Sequence, residues 1–151
     1  MSTPIKRAEF LKQLSREHHH GLLLCWKIRE GIKKNAAPER IKAYADWFWE
    51  EHLERHFKEE EDFIFPILPN TNENIKKAID EHRSIKKLFQ KKTDLINTLN
   101  RIQHELENHI RFEERILFNE IQDTASEEHL QKIKINHSEK FKDNLSDEFW
   151  K

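Results

Sequence analysis

A ten-residue segment occurs twice in this chain, and the repetition limits the possible folds more than any other feature. His56-Phe-Lys-Glu-Glu60-Glu-Asp-Phe-Ile-Phe65 aligns without a gap on His109-Ile-Arg-Phe-Glu113-Glu-Arg-Ile-Leu-Phe118, 53 residues further on. Residues four apart on an α-helix lie about 40° apart around the axis and about 6 Å along it. His56 and Glu60 therefore share a helix face, and so do His109 and Glu113. A shorter match, Glu17-His18 against Glu81-His82, precedes each copy. The pattern predicts two helical hairpins related by a pseudo-twofold, each supplying one single histidine and one His/Glu pair.

The rest of the chain accommodates four helices with short joints. Ser15 can cap a first helix whose apolar positions Leu22, Leu23, Cys25, Trp26, Ile28 and Ile32 recur at three- and four-residue spacing, fading near Lys34-Asn35. Pro38 suits the first turn of a second, which Pro66 and Pro69 stop after Phe65. Asn72 or Asn74 starts a third, with Ile75, Ile79, Ile85, Leu88 and Phe89 inward. Thr93-Asp94 opens a fourth that runs to about Gln122, with Leu95, Leu99, Ile102, Leu106, Ile116 and Leu117 inward. Ser126, with two glutamates after it, starts a weaker helix to about Phe141. Only two glycines and four prolines occur, which leaves little material for β-turns. The expected architecture is all-α: a single domain over residues 1–151, with an up-down-up-down bundle over about 15–122. The C-terminal helix covers about 126–141, and short flanking pieces include Phe149 and Trp150.

Charge and cysteine content exclude several classes. Lys+Arg (27) and Asp+Glu (28) nearly cancel, so no basic surplus recruits nucleic acid. The N-terminus intersperses Ile5, Phe10, Leu11 and Leu14 with charges, which argues against a signal peptide or membrane span. The lone cysteine, Cys25, excludes an internal disulfide and fits a reducing, cytoplasmic compartment. Nothing resembles a kinase, cyclase or DNA-binding segment, which favours a stand-alone module.

The two pairs sit on diagonal helices and can point at one centre, with His18 and His82 approaching from the other two. Four imidazoles and two carboxylates are too costly to bury without partners. A metal cluster removes that cost, because carboxylates can bridge two ions while imidazoles fill terminal positions. Mixed His and carboxylate ligation suits iron, manganese or zinc rather than calcium or magnesium. The set is too large for one tetrahedral zinc and too small to saturate two six-coordinate irons. Solvent, an oxo or hydroxo bridge, or an exogenous ligand such as dioxygen, nitric oxide or peroxide would fill the remainder.

Other histidines carry less weight. His52 lies one turn before His56 and is a candidate extra ligand, though a packed histidine is the simpler reading. His104, rotated away from His109 by about 140°, is more simply peripheral but is a candidate seventh ligand, and His137 could cover the site, with a packed or exposed histidine the simpler reading. Cys25 reads as a packed thiol, and Trp47, Phe48, Trp49 and Phe65 as core aromatics. His52-Leu-Glu-Arg-His56 lacks the glutamate placement of zinc proteases. Ferritin-like centres need two Glu-x-x-His units, and only Glu17-x-x-His20 is available.

The segments Leu14-Ser-Arg-Glu-His-His-His-Gly-Leu22, His56-Phe-x-x-Glu-Glu-x-x-Ile-Phe-Pro66, Glu81-His82 and His109-Ile-x-Phe-Glu-Glu-x-x-Leu-Phe118 resemble the haemerythrin-like, or HHE cation-binding, family. The resemblance spans about residues 14–122 in the family's motif order. It implies a four-helix bundle around two non-haem iron ions, carboxylate-bridged and oxo- or hydroxo-bridged, held by His18, His56, Glu60, His82, His109 and Glu113. Oxygen-carrying members place another histidine four residues after that of the third helix, where this chain has Lys86. They also use an aspartate five residues after the fourth-helix histidine, where this chain has Glu113 at four. The chain therefore resembles the bacterial stand-alone type more than a dedicated oxygen carrier.

The resulting expectation is a di-iron protein that binds or senses O2 or NO, or handles iron, without turnover. A second reading is an enzyme acting on peroxide or nitric oxide, or repairing iron centres. A third is a zinc-binding or metal-free scaffold.

Overall fold

A computed structural model describes residues 7–126, 128 and 141–151. Four helical rods pass up, down, up and down, with no strand among the described residues. The first helix is Glu9–Lys33 and the third is Glu73–Gln90. The second rod runs continuously through Pro38–Phe48, Trp49–Leu53, Glu54–Glu59, Glu60–Ile64 and Phe65–Ile67. The fourth does the same through Leu95–Phe112, Glu113–Leu117 and Phe118–Thr124.

Local chemistry sets the joints. Pro38 occupies the first turn of the second rod. The Asn72 side chain accepts hydrogen bonds from the backbone N–H groups of Asn74 and Ile75, at 2.9 and 3.1 Å, and caps the third helix. Asn35 (φ 58°) and Asp94 (φ 50°) take left-handed conformations at the two tight reversals.

Three expectations change. The first helix begins at Glu9 rather than at Ser15, because Leu11 and Leu14 continue the buried stripe that leads to His18. Ser15 lies inside that helix, and its hydroxyl donates to Glu114 at 2.8 Å. Trp26 is 43% exposed while its neighbour Lys27 is buried. The ammonium of Lys27 donates to Tyr44 Oη (2.9 Å) and Asp143 (2.5 Å) and lies 3.9 Å from the centroid of the Trp150 ring. The returning C-terminal segment thus supplies a partner that helical periodicity cannot foresee. Ile116, expected inward, is 52% exposed.

The expected helix over about 126–141 and the position of His137 lie outside the described residues. The final stretch, 141–151, folds back onto the first two helices. Phe149 and Trp150 are buried there, and Lys34 Nζ donates to the Trp150 carbonyl at 2.8 Å.

Two apolar clusters result. One contains Leu24, Ile28, Ile41, Phe48, Trp49, Leu99 and Ile102, closed by Phe149 and Trp150. The other contains Leu11, Leu14, Ile64, Phe65, Leu117, Phe118 and Ile121. The His/Glu pairs of the repeats, His56 with Glu60 and His109 with Glu113, are buried in the layer between them.

Candidate metal centre

The two copies of the repeat share their backbone as well as their side chains. Each His-x-x-x-Glu unit ends where the α-helix loosens into a π-helical turn, Glu60–Ile64 in one rod and Glu113–Leu117 in the other. Both turns start on the glutamate of the pair and obey the same 53-residue offset. Each widens the helix locally and rotates the residues beyond it around the axis. Phe63 and Ile116, at matching positions, are turned outward, whereas Ile64 and Leu117 are fully buried.

The six expected residues converge. His18, His56, Glu60, His82, His109 and Glu113 are all buried, the two glutamates completely. Their nitrogen and oxygen atoms form two groups, each with all atoms within 4.8 Å of one another. One group is His18, His56, Glu60 and Glu113, and the other is His82, His109, Glu60 and Glu113. Both carboxylates are thus common to both groups. Glu60 directs Oε2 toward His18 (3.6 Å) and His56 (3.4 Å), and Oε1 toward His82 (3.2 Å). Glu113 directs Oε1 toward His18 (2.9 Å) and His109 (3.2 Å), and Oε2 toward His82 (3.8 Å).

Most inward atoms lack a hydrogen bond within the protein: Nε2 of His56, His82 and His109, both oxygens of Glu60, and Oε2 of Glu113. Each such buried group costs about 1–3 kcal/mol when unpaired, and together they rival the whole stability of a small domain. Atoms of this kind, left bare and aimed at one point, fit one or more cations with nitrogen and oxygen ligands. The donor set contains no thiolate, since Cys25 is buried in the apolar cluster with its pKa pushed up by burial to about 12.

Four glutamates that sequence reasoning did not assign complete the arrangement. Each accepts a hydrogen bond from the outer nitrogen, Nδ1, of one inner histidine. Glu17 holds His56 (2.7 Å), Glu61 holds His82 (2.7 Å), Glu81 holds His109 (2.7 Å) and Glu114 holds His18 (2.6 Å). The bonds close a ring around the bundle, from the first helix to the second, third, fourth and back. An Nδ1–H held by a carboxylate leaves Nε2 as the inward lone pair and makes it more basic, as metal-binding histidines require. The signal was present in the paired motifs: Glu17 and Glu81 directly precede the single histidines, and Glu61 and Glu114 come directly after the repeat glutamates.

Electrostatics derive from this packing. Burial disfavours charged imidazoles, yet the surrounding carboxylates prevail at each. They raise His18 and His82 well above 6.5, raise His109, and lift His56 to about 9. Burial and the proximity of Glu113 push Glu60 upward, but His56 and His18 outweigh them and hold it near 2. Glu113 is held well below 4.5 by His109, His18 and His82 against its own burial. Without a cation, the histidines must carry the positive charge that the two glutamates need.

The remaining described histidines stay outside the cluster. His104 is exposed and pairs with Asn108 at 3.2 Å. His52 packs its ring against Trp47, Phe48 and Phe141. Lys86 is exposed on the third helix. Among the described residues, no helix is long and apolar enough to cross a membrane.

No curated protein and no solved structure matches the chain. The family of the hemerythrin HHE cation-binding domain matches residues 6–98, well over half the sequence. That stretch contains His18, His56, Glu60 and His82. The internal repeat and the geometry extend the same pattern to His109 and Glu113. The chain belongs to the hemerythrin HHE cation-binding domain family.

Proposed function

We propose that this chain is a non-haem di-iron protein that binds or senses O2 or NO, or handles iron, through a carboxylate-bridged site. The observation that carries the reading is the pair of ligand groups sharing both Glu60 and Glu113. His18 and His56 would hold one ion, His82 and His109 the other, with a carboxylate oxygen from each glutamate available to both. Two nitrogens and two oxygens leave an octahedral ion short of ligands, which favours an exchangeable position. When bound, such a pair of ions supplies redox-active open coordination for a small diatomic molecule.

The residues around it do three things. Glu17, Glu61, Glu81 and Glu114 fix the imidazoles in one tautomer. Phe57 and Phe65 stack on His82, at centroid distances of 3.8 and 5.5 Å, and Phe118 stacks on His18 at 5.2 Å, which excludes water from the ring faces. Glu60 and Glu113 neutralise cationic charge in a layer where no other described acid is fully buried.

Absorption spectroscopy of the iron-loaded protein tests this reading. Ferrous protein exposed to oxygen or nitric oxide is expected to develop a near-ultraviolet charge-transfer band that reverses when the gas is removed. Steady consumption of peroxide or nitric oxide would instead favour the enzymatic reading. A chain that takes up zinc and refuses iron would overturn both.

A further inference from the structure

The two halves of the centre match in geometry but not in how they meet solvent. Three of the four outer carboxylates are held by a basic residue. Glu114 takes Arg7 (3.3 Å) and two contacts from Ser15, while Arg7 also bonds the Glu114 carbonyl at 2.8 Å. Glu81 takes Lys77 at 2.7 Å, and Glu17 faces Arg55 at 4.0 Å. Glu61 is the exception. Among the described residues it has one polar partner, the Nδ1 of His82, and no lysine or arginine within ion-pair distance. Its side chain is 39% exposed, against 28% for Glu81 and Glu114 and 17% for Glu17.

The repeat breaks at the same place. Asp62 stands where the second copy has Arg115, and Glu59 where it has Phe112. The first copy therefore reads Glu-Glu-Glu-Asp over 59–62 and presents exposed Glu61 and Asp62, while the second is flanked by arginine. Immediately inside Glu61 lies His82, 3% exposed, whose unpaired Nε2 faces Glu60 Oε1 at 3.2 Å. An acid at the surface, one histidine deep, thus leads to a buried carboxylate with no hydrogen bond of its own.

Taking the two-metal reading as its basis, we propose that divalent metal ions enter the centre at the Glu61 edge, between the second and third helices. Glu61 is the first carboxylate to meet the incoming cation, and Asp62 adds attraction. Releasing the Glu61–His82 bond frees the His82 ring to turn and hand the ion to Glu60. The equivalent edge at Glu114 is closed by Arg7, which repels a cation and would have to give up several bonds. A short-range field of this sign raises on-rates by about 10- to 1,000-fold and weakens with ionic strength.

Stopped-flow mixing of the metal-free protein with Co2+, monitored by its visible absorption, tests the route. Glu61→Gln keeps a hydrogen-bonding side chain and is expected to slow uptake at least about tenfold, with the final stoichiometry equal to that of the wild type. Glu73→Gln, which removes the same charge from an exposed acid at the start of the third helix and outside the centre, should leave the rate within about twofold of wild type. Equal rates for wild type and Glu61→Gln, or equal slowing by both variants, would overturn the proposal. Should Glu61→Gln fail to fold or fill, Asp62→Arg provides the second test, because it touches no bond to His82. Slower uptake by that variant supports the route, and an unchanged rate refutes it. A wild-type protein that binds no Co2+ would instead refute the two-metal reading beneath it.

Discussion

At the residue scale, position within the repeat decides what a carboxylate does. Glu60 and Glu113 lie inward, with both oxygens of Glu60 and Oε2 of Glu113 bare, whereas Glu61 and Glu114, one residue later, lie outward and orient histidines. Glu113→Ala should therefore abolish the paired site, leaving at most one bound ion per chain by metal analysis. Glu81→Gln should keep both ions but weaken binding about 10- to 100-fold, because His109 loses the carboxylate that sets its tautomer. Competition with a chelator of known affinity measures this. Far from the centre, Lys27 offers a contrasting case of buried charge. Asp143→Asn leaves its ammonium 3% exposed without an anion and should cost about 1–3 kcal/mol in urea denaturation. An unchanged midpoint would mean that Tyr44 and Trp150 suffice.

At the element scale, the convergence of the two His/Glu pairs was legible because it depends on a spacing of four, which the α-helix preserves through His56–Glu60 and His109–Glu113. Beyond Glu113 the reading holds for Leu117 but not for Ile116. The π-helical turn at Glu113–Leu117 breaks the α-helical period, so Ile116 turns out while Leu117 and Phe118 pack inside. Lys27 was hidden for another reason: its partner Asp143 comes from a segment 116 residues away. The outer carboxylates were visible as Glu-His and Glu-Glu pairs, but only the folded bundle reveals which histidine each one reaches. Helix ends were read most directly where a side chain makes the cap. Asn72→Ala should destabilise the fold by about 1 kcal/mol, seen as a lower thermal midpoint. Gly31 permits the closest approach of the tail, since a Cβ there would lie 2.7 Å from the Phe149 ring. Gly31→Ala should displace that ring at a cost of about 1–3 kcal/mol.

At the scale of the whole molecule, a polar layer divides one bundle into two apolar halves, and its charge must be balanced in every state. In the metal-free protein the balance comes from protons. His56 binds its proton up to about pH 9 when folded, against 6.5 when unfolded, so its stabilisation is complete below pH 6.5 and is lost as pH rises through 9. Glu60 titrates near 2 when folded, against 4.5 when unfolded. Its contribution holds above pH 4.5 and is lost as pH falls toward 2. Thermal midpoints of the metal-free chain should accordingly be highest between about pH 4.5 and 6.5 and decline on either side. A midpoint that climbs steadily from about pH 7 to 9 would contradict this balance. Metal binding should show the opposite trend on the alkaline side, tightening as pH rises, because each ion displaces protons from the imidazoles.

The central claim is that Glu60 and Glu113 serve two ions at once, and an anaerobic titration of metal-free protein with ferrous iron tests it most directly. The predicted endpoint is about two equivalents per chain in the wild type, with at most one in Glu113→Ala, as the shared carboxylates require. A wild-type endpoint of one equivalent, or two equivalents retained in the Glu60→Ala/Glu113→Ala double variant, would contradict it.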